Sequence, residues 1–140
     1  MNINFLTNLK QKFPKLFFTE MFTDEYILSA EKDEGYIEYK RTLMNCDEKR
    51  AQKYATQMRW RISENTKNQY ATYFLGVDDD GTIVGLNNNE LEACIEKFIK
   101  IASSIDASII GVHIIHVKKL IILKIMVKIK KIVFNYLVDI

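Results

Sequence analysis

Apolar residues recur at helical spacing in the middle of the chain. Intervals of three and four between them predict a helix from Asp47, a suitable N-cap, to about Ser63. The apolar stripe consists of Ala51, Tyr54, Ala55, Met58 and Ile62. This stripe should face a sheet, and the opposite surface should be basic. The basic residues are Lys49, Arg50, Lys53, Arg59 and Arg61.

A second stripe with the same spacing predicts another helix further along the chain. Asn89 and Glu92 have the spacing of a capping box at its start. The stripe that follows is unbroken, which makes this helix the clearest element of the pattern. Its members are Leu91, Cys94, Ile95, Phe98, Ala102 and Ile105.

The remaining apolar runs are rich in β-branched and aromatic residues and predict strands. Residues 36–43 (YIEYKRTL) form one, and residues 70–77 and 82–86 form a hairpin around the turn residues Asp80 and Gly81. Ile109–Val117 is another strand. For residues 118–140, one or two further strands are favoured over a lysine-edged helix.

The order of these elements predicts an α+β fold, with a mixed or antiparallel sheet and two main helices packed on one face. We expect an N-terminal arm or short helix over residues 1–32, a core domain over 33–117, and a C-terminal strand region rich in Ile and Lys over 118–140. Four aromatic residues cluster in the first of these regions. They are Phe17, Phe18, Phe22 and Tyr26.

The amino-acid composition limits the class of protein and its partners. The 140 residues are 48% apolar and 27% charged, which is typical of a single globular domain. A net charge of +2 is too small to indicate a nucleic-acid binder by global attraction. Cys46 and Cys94 lie outside any zinc-binding pattern, so a reducing, cytoplasmic location is expected. Lysines interrupt every long apolar run, and no membrane span is predicted.

The loop between the two hairpin strands resembles a phosphate-binding loop only in the spacing of Gly76 and Gly81. Thr82 occupies the position of the required lysine, and the three carboxylates of residues 78–80 would repel phosphate. We therefore expect no GTP binding by this chain. Asp78, Asp79 and Asp80 could ligate Mg²⁺ or another hard cation, but such a run is more typical of a solvated turn.

Two further groups of residues are candidates for a catalytic or a metal-binding site. Glu38 and Asp78 would lie close together if their strands are neighbours, and with Lys40 they would form the skeleton of a metal-dependent nuclease, although surface charges explain them more simply. His113 and His116 should point to opposite faces of one strand, which prevents joint metal binding.

Trp60 stands beside the apolar stripe of the first long helix, between Arg59 and Arg61. An aromatic ring between arginines could stack on a nucleic-acid base or on a partner surface. A tryptophan packed at the rim of the core is the more ordinary explanation.

Three strings together resemble a known family: GYIEYK at 35–40, TQMRWR at 56–61 and YFLGVDDDGTIVGL at 73–86. Their order and spacing are similar to the region preceding the GTPase domain in the GTP-binding protein one/two family of translational GTPases. The resemblance covers about residues 33–110, and TQMRWR is its most specific part. None of the GTPase motifs follows within these residues, so the chain could be a stand-alone domain, an excised domain or a truncated relic.

This resemblance implies a non-enzymatic binding module, without a cofactor, that docks on the ribosome, RNA or a translation-associated protein. The surface expected to bind comprises Lys40, Arg41, Arg59, Trp60 and Arg61. Another possibility is that the chain is a competitive mimic of the corresponding region of a host GTPase. The abundance of Ile, Lys and Asn is typical of an AT-rich genome such as that of a giant virus or a protist.

The strand and hairpin strings are also similar to the Schlafen-like putative nucleic-acid-binding fold, some members of which are RNA endonucleases with an acidic triad. Carried over, that resemblance implies a ribonuclease dependent on Mg²⁺ or Mn²⁺, with Asp33, Glu38 and Asp78 as catalytic residues. The sequence departs from that fold because its usual N-T-x-G-G segment is replaced by Tyr70, Ala71 and Thr72. Asp33 also stands where a glutamate is usual.

Overall fold

The computed structural model describes residues 5–130, which form three helices and five strands. In chain order they are α1 (Phe5–Lys12), β1 (Phe18–Thr23), β2 (Ile37–Lys40), α2 (Glu48–Glu64), β3 (Tyr70–Leu75), α3 (Asn88–Ser103), β4 (Ala107–Val117) and β5 (Leu120–Ile129). The strands make one mixed sheet in the order β1-β4-β5-β3-β2. The α+β prediction is confirmed.

Helix α2 makes the parallel connection between β2 and β3, which a short loop could not provide. The other central pairs, β3 with β5 and β4 with β5, are antiparallel. At the far side β1 runs parallel to β4, although about ninety residues separate them in the sequence. This long-range pairing brings the N-terminal segment into the sheet.

All three helices contribute to a single core on one face of the sheet, as predicted for the two main ones. The stripe of α3 is fully buried, and α2 buries Ala55, Met58 and Ile62. Alternate residues of β3, β4 and β5 supply the other side of this core. Leu9 and Phe13 of the α1 region pack against the same layer.

A second, smaller core lies on the opposite face. Tyr39, Phe74 and Ile122 lie at its centre. The segment between β1 and β2 covers it with Tyr26 and Leu28. This segment crosses only part of the face, and the rest of it is not overlaid by any helix among residues 5–130.

The structure corrects three local predictions. Phe18–Thr23 is a strand rather than part of an arm or helix, because it finds its partner in β4. Residues 82–86 make only an isolated bridge, Val77 with Ile83, around a turn in which Gly81 alone has a positive φ. The capping box of α3 uses Asn87 and Glu90 in place of Asn89 and Glu92.

The other elements match the predicted pattern. Asp47 caps α2 by accepting a hydrogen bond from the backbone N of Arg50 at 2.8 Å. The strand at the start of the Ile/Lys-rich region is confirmed by β5, and residues 131–140 lie outside the described part of the chain. No helix within residues 5–130 has the length and apolar character needed to cross a membrane.

Candidate functional site: a buried ion pair beneath the exposed side of α2

Glu38 of β2 and Arg61 of α2 form an ion pair inside the protein. The Nε atom of Arg61 lies 3.0 Å from Oε1 of Glu38, and the two residues are only 3% and 5% exposed. The other guanidinium nitrogens donate to the backbone carbonyls of Gly35 at 2.8 Å and Lys32 at 2.9 Å. Each of the three guanidinium nitrogens thus donates to a protein acceptor, and these bonds hold α2 against the chain before β2.

This arrangement corrects the prediction that Arg61 lies on the exposed side of α2. Arg61 falls next to the apolar stripe, where its aliphatic part can pack while its head reaches Glu38. Lys40 is also turned inward. Its Nζ atom lies 3.5 Å from Oε2 of Glu38, 3.1 Å from Oε1 of Gln57 and 4.0 Å from the centre of the Tyr54 ring.

The predicted carboxylate triad is not assembled as a group. Glu38 is joined to Arg61 and Lys40, while Asp33 is exposed in the loop before β2 and Asp78 begins the turn after β3. Asp78 donates its backbone N–H to the carbonyl of Thr82 at 2.9 Å, as a turn residue does. A Glu38 carboxylate held by two cations is poorly placed to ligate a divalent metal.

Glu31 is a further member of this network, and it is not among the residues that the sequence predicts. Its carboxylate accepts a hydrogen bond from the backbone N of Tyr39 and lies beside the carboxyl group of Glu38. Its own backbone N donates to the carbonyl of Asp79 at 2.7 Å. No pattern in the loop marks this glutamate, because the contacts that define it come from β2 and the turn after β3.

Burial, together with the adjacent Glu38 carboxyl group, raises the pKa of Glu31 from 4.5 to about 7. The folded state therefore binds a proton at Glu31 more tightly than the unfolded state does. Its contribution to stability is fully present below pH 4.5 and is lost as the pH rises through about 7.

Replacing Glu31 by Gln should remove this dependence. We expect Glu31→Gln to unfold at nearly the same denaturant concentration as the native chain at pH 5, and to be more stable at pH 8 by up to about 1 kcal/mol, since solvent screens a partly exposed group. Urea titrations at both pH values measure this. Glu34→Gln, an exposed neighbour, is the matched control. A Glu31→Gln variant no more stable than the native chain at pH 8 would contradict the assignment.

The exposed side of α2 carries the other half of the site. Trp60 is 43% exposed, and its ring centre lies 5.0 Å from the guanidinium carbon of Arg61. Lys49 and Lys53 lie on the same side of α2 as Trp60, at helical spacing. Arg59 is exposed beside Trp60. Arg41, at the end of β2, is exposed as well.

The string TQMRWR is therefore divided between two roles. Gln57, Met58 and Arg61 face inward, where they hold Lys40, fill the core and neutralise Glu38. Arg59 and Trp60 face solvent. The fold explains the inward residues, whereas Arg59 and Trp60 are not members of the described hydrophobic core.

The three consecutive aspartates form an ordinary turn. Asp80 accepts a hydrogen bond from the backbone N of Thr82 at 2.9 Å, and this bond lowers the pKa of its carboxyl group. Within residues 5–130, no three His, Cys, Asp or Glu side chains are grouped as a metal site would require. Cys46 and Cys94 are free and buried.

The two histidines point to opposite faces of β4, as predicted. The ring of His113 pairs with the Thr19 hydroxyl on the face away from the helices. On the helix face, Nε2 of His116 lies 2.6 Å from Oε2 of Glu20, and its ring stacks on Phe22 at 4.2 Å. The separation of the rings prevents joint ligation of a metal.

Fold and site together define a small α+β domain in which a buried ion pair supports a helix with an aromatic and basic outer side. The chain is 45% identical over 129 residues to the uncharacterized protein R625 of Acanthamoeba polyphaga mimivirus, an alignment that covers 92% of this chain and 69% of R625. The chain belongs to the same family as this mimivirus protein.

A part of the chain is also similar to GTP-binding protein 2 of Homo sapiens and of Mus musculus. The identity is 37% over 82 residues, which is 59% of this chain and only 13% of GTP-binding protein 2. This confirms a relation to a segment of a GTP-binding protein, whereas the likeness to the Schlafen-like fold stays a prediction. No protein-family model matches the chain, and no solved structure matches it.

Proposed function

We propose that this chain is a non-catalytic binding module that docks on the ribosome through the exposed side of α2. The observation that carries the proposal is the division of TQMRWR, in which Arg59 and Trp60 are presented to solvent on a helix that the Glu38–Arg61 pair holds in place. The relation to a segment of GTP-binding protein 2 supports a role connected with translation. Free RNA or a translation-associated protein are the alternative partners.

The chemistry of this surface favours a polyanionic partner. Lys49, Lys53, Arg50 and Arg59 provide positive charge along the helix, and the exposed ring of Trp60 offers a stacking surface at its C-terminal end. Arginine and tryptophan are also the residues that most often dominate binding energy at interfaces. Lys40 and Arg61 contribute indirectly, because their side chains are occupied beneath the helix.

The test uses the double variant Arg59→Ser/Trp60→Ala, which leaves the buried pair intact. We expect its affinity for purified ribosomes to fall about tenfold or more, because the proposed surface loses both its ring and a cation. Sedimentation through a sucrose cushion at several protein concentrations measures the affinity. The control, Ile27→Ala/Lys100→Ser, removes one exposed apolar side chain and one cation elsewhere. Equal ribosome binding by both double variants would remove the α2 surface from the proposal.

A second candidate function is a competitive mimic of the corresponding segment of a GTP-binding protein. The 37% identity to part of GTP-binding protein 2, together with a relative from a virus, favours it. On this hypothesis the chain should displace GTP-binding protein 2 from a protein partner in a competition assay. Direct binding to purified ribosomes, with no other protein present, would count against the mimic.

A further inference from the structure

The face of the sheet opposite the helices has a part that the segment between β1 and β2 leaves open. Tyr26, Leu28 and Ile83 cover one end of this face. Towards the other end, one register row runs across the whole sheet, from Phe17 just before β1 to Gly111, Met126, Thr72 and Ile37. We call this row and the neighbouring side chains of His113, Lys124 and Lys128 the open half-face.

The exposed side chains of the row stand at its two ends, and Gly111 and Thr72 between them are buried. Phe17 is 67% exposed, and Ile37 at the far end of the row is 40% exposed. Gly111 has no side chain, and a Cβ atom placed there would lie 3.8 Å from Cδ1 of Phe17. The ring of Phe17 therefore lies against the buried backbone of Gly111 and exposes its other side to solvent.

The charges on the open half-face have one sign. Lys124 and Lys128 of β5 lie on the same side of the strand, about 13 Å apart at the rise of an extended chain. Lys124 is held over the ring of Phe74 at 5.8 Å. No aspartate or glutamate belongs to the described strand residues of this half-face. The surface is thus complementary to a polyanion.

His113 adds polarity to the surface without adding charge at neutral pH. Burial and the nearby Lys124 lower the pKa of its ring, and Thr19 occupies one ring nitrogen. The attraction for a polyanion therefore rests on the two lysines. The two lysines are spaced along β5, and the ring of Phe17 lies two strands away, beyond β4.

We propose that the open half-face binds single-stranded nucleic acid, with a base stacked on Phe17 and phosphates bound by Lys124 and Lys128. Proteins that hold unpaired bases combine exposed aromatic rings with a basic surface, and the open half-face has both, with no carboxylate on its strands. A duplex does not fit this surface, because its bases are already stacked and cannot reach Phe17. The site goes beyond the docking function of α2, which lies on the other side of the sheet.

Fluorescence anisotropy with labelled oligouridylate and oligothymidylate of about 10 nucleotides tests this proposal. We expect both to bind with similar affinity, because the surface contacts bases and phosphates, and a duplex of equal length to bind more weakly. Phe17→Ala should weaken binding about tenfold. Lys124→Gln and Lys128→Gln should each reduce the slope of log K against log salt by about 0.7.

Two controls separate this site from general effects of charge and from misfolding. Lys10→Gln/Lys100→Gln removes two positive charges from exposed positions on α1 and α3 and should leave oligonucleotide affinity and salt slope unchanged. Phe22→Ala removes an exposed aromatic from the helix-facing side of β1 and should bind as the native chain does. Absence of binding at low salt, equal affinity for duplex, or equal losses in the control variants would overturn the proposal.

Discussion

Substitution of Arg61 by alanine is expected to lower the free energy of unfolding by about 3–5 kcal/mol. The change leaves the buried Glu38 carboxylate facing one cation, Lys40, at 3.5 Å, and it removes the donors to the carbonyls of Gly35 and Lys32. A loss of this size is a large share of the stability of a small domain. Urea unfolding followed by circular dichroism measures it.

Arg59 provides the matched control for this prediction. It is the same residue type two positions earlier on the same helix, but it is exposed, so Arg59→Ala should change the free energy of unfolding by no more than about 0.5 kcal/mol. In a Glu38→Gln background the cost of Arg61→Ala should shrink, because Arg61 then has no buried carboxylate to neutralise. Similar losses for Arg59→Ala and Arg61→Ala would show that the ion pair does not stabilise the fold.

Substitution of Gly81 by alanine has the second largest expected effect, a loss of about 2–5 kcal/mol. Gly81 adopts a φ of +91°, and a Cβ atom there would lie 2.4 Å from the carbonyl oxygen of Leu28 and 2.9 Å from that of Ser29. Both obstacles are backbone atoms that cannot rotate away. The segment that covers Tyr39 and Phe74 must therefore move, which exposes the smaller core.

Gly35 separates the two causes of this loss. Its φ of +92° is nearly the same, but a Cβ atom at Gly35 would meet nothing within 4 Å. Gly35→Ala should therefore cost only the left-handed backbone conformation, about 1–2 kcal/mol. The difference between the two variants in urea unfolding measures the clash with Leu28. Equal losses for the two variants would mean that the segment over the smaller core is not packed against the turn.

Local sequence patterns were sufficient to predict the two long helices, because their apolar residues recur at helical spacing. The stripes of α2 and α3 follow a helical period, and the described structure contains both helices with their apolar sides on the sheet. The predicted position of the capping box was wrong by two residues, because Asn87 and Asn89 each have a glutamate three residues later. In the structure α3 begins at Asn88, so Asn87 is the residue that caps it.

Tertiary contacts account for what the patterns did not reveal. β1 is a short strand whose partner β4 is far away in the sequence, so no local signal marks it as part of the sheet. Arg61 was predicted to be exposed because a charge beside an apolar stripe usually is, and its burial depends on Glu38 and two loop carbonyls. Glu31 joins the same network through contacts from separate segments.

Sedimentation of the purified native chain with purified ribosomes and Mn²⁺, followed by gel analysis of the ribosomal RNA, tests whether the chain docks on the ribosome without cleaving RNA. A non-catalytic binding module should appear in the ribosome pellet while the RNA stays intact. Retention of the chain in the supernatant would contradict docking on the ribosome. RNA cleavage that is present with the native chain and absent with a folded Glu38→Gln variant would contradict the absence of catalysis.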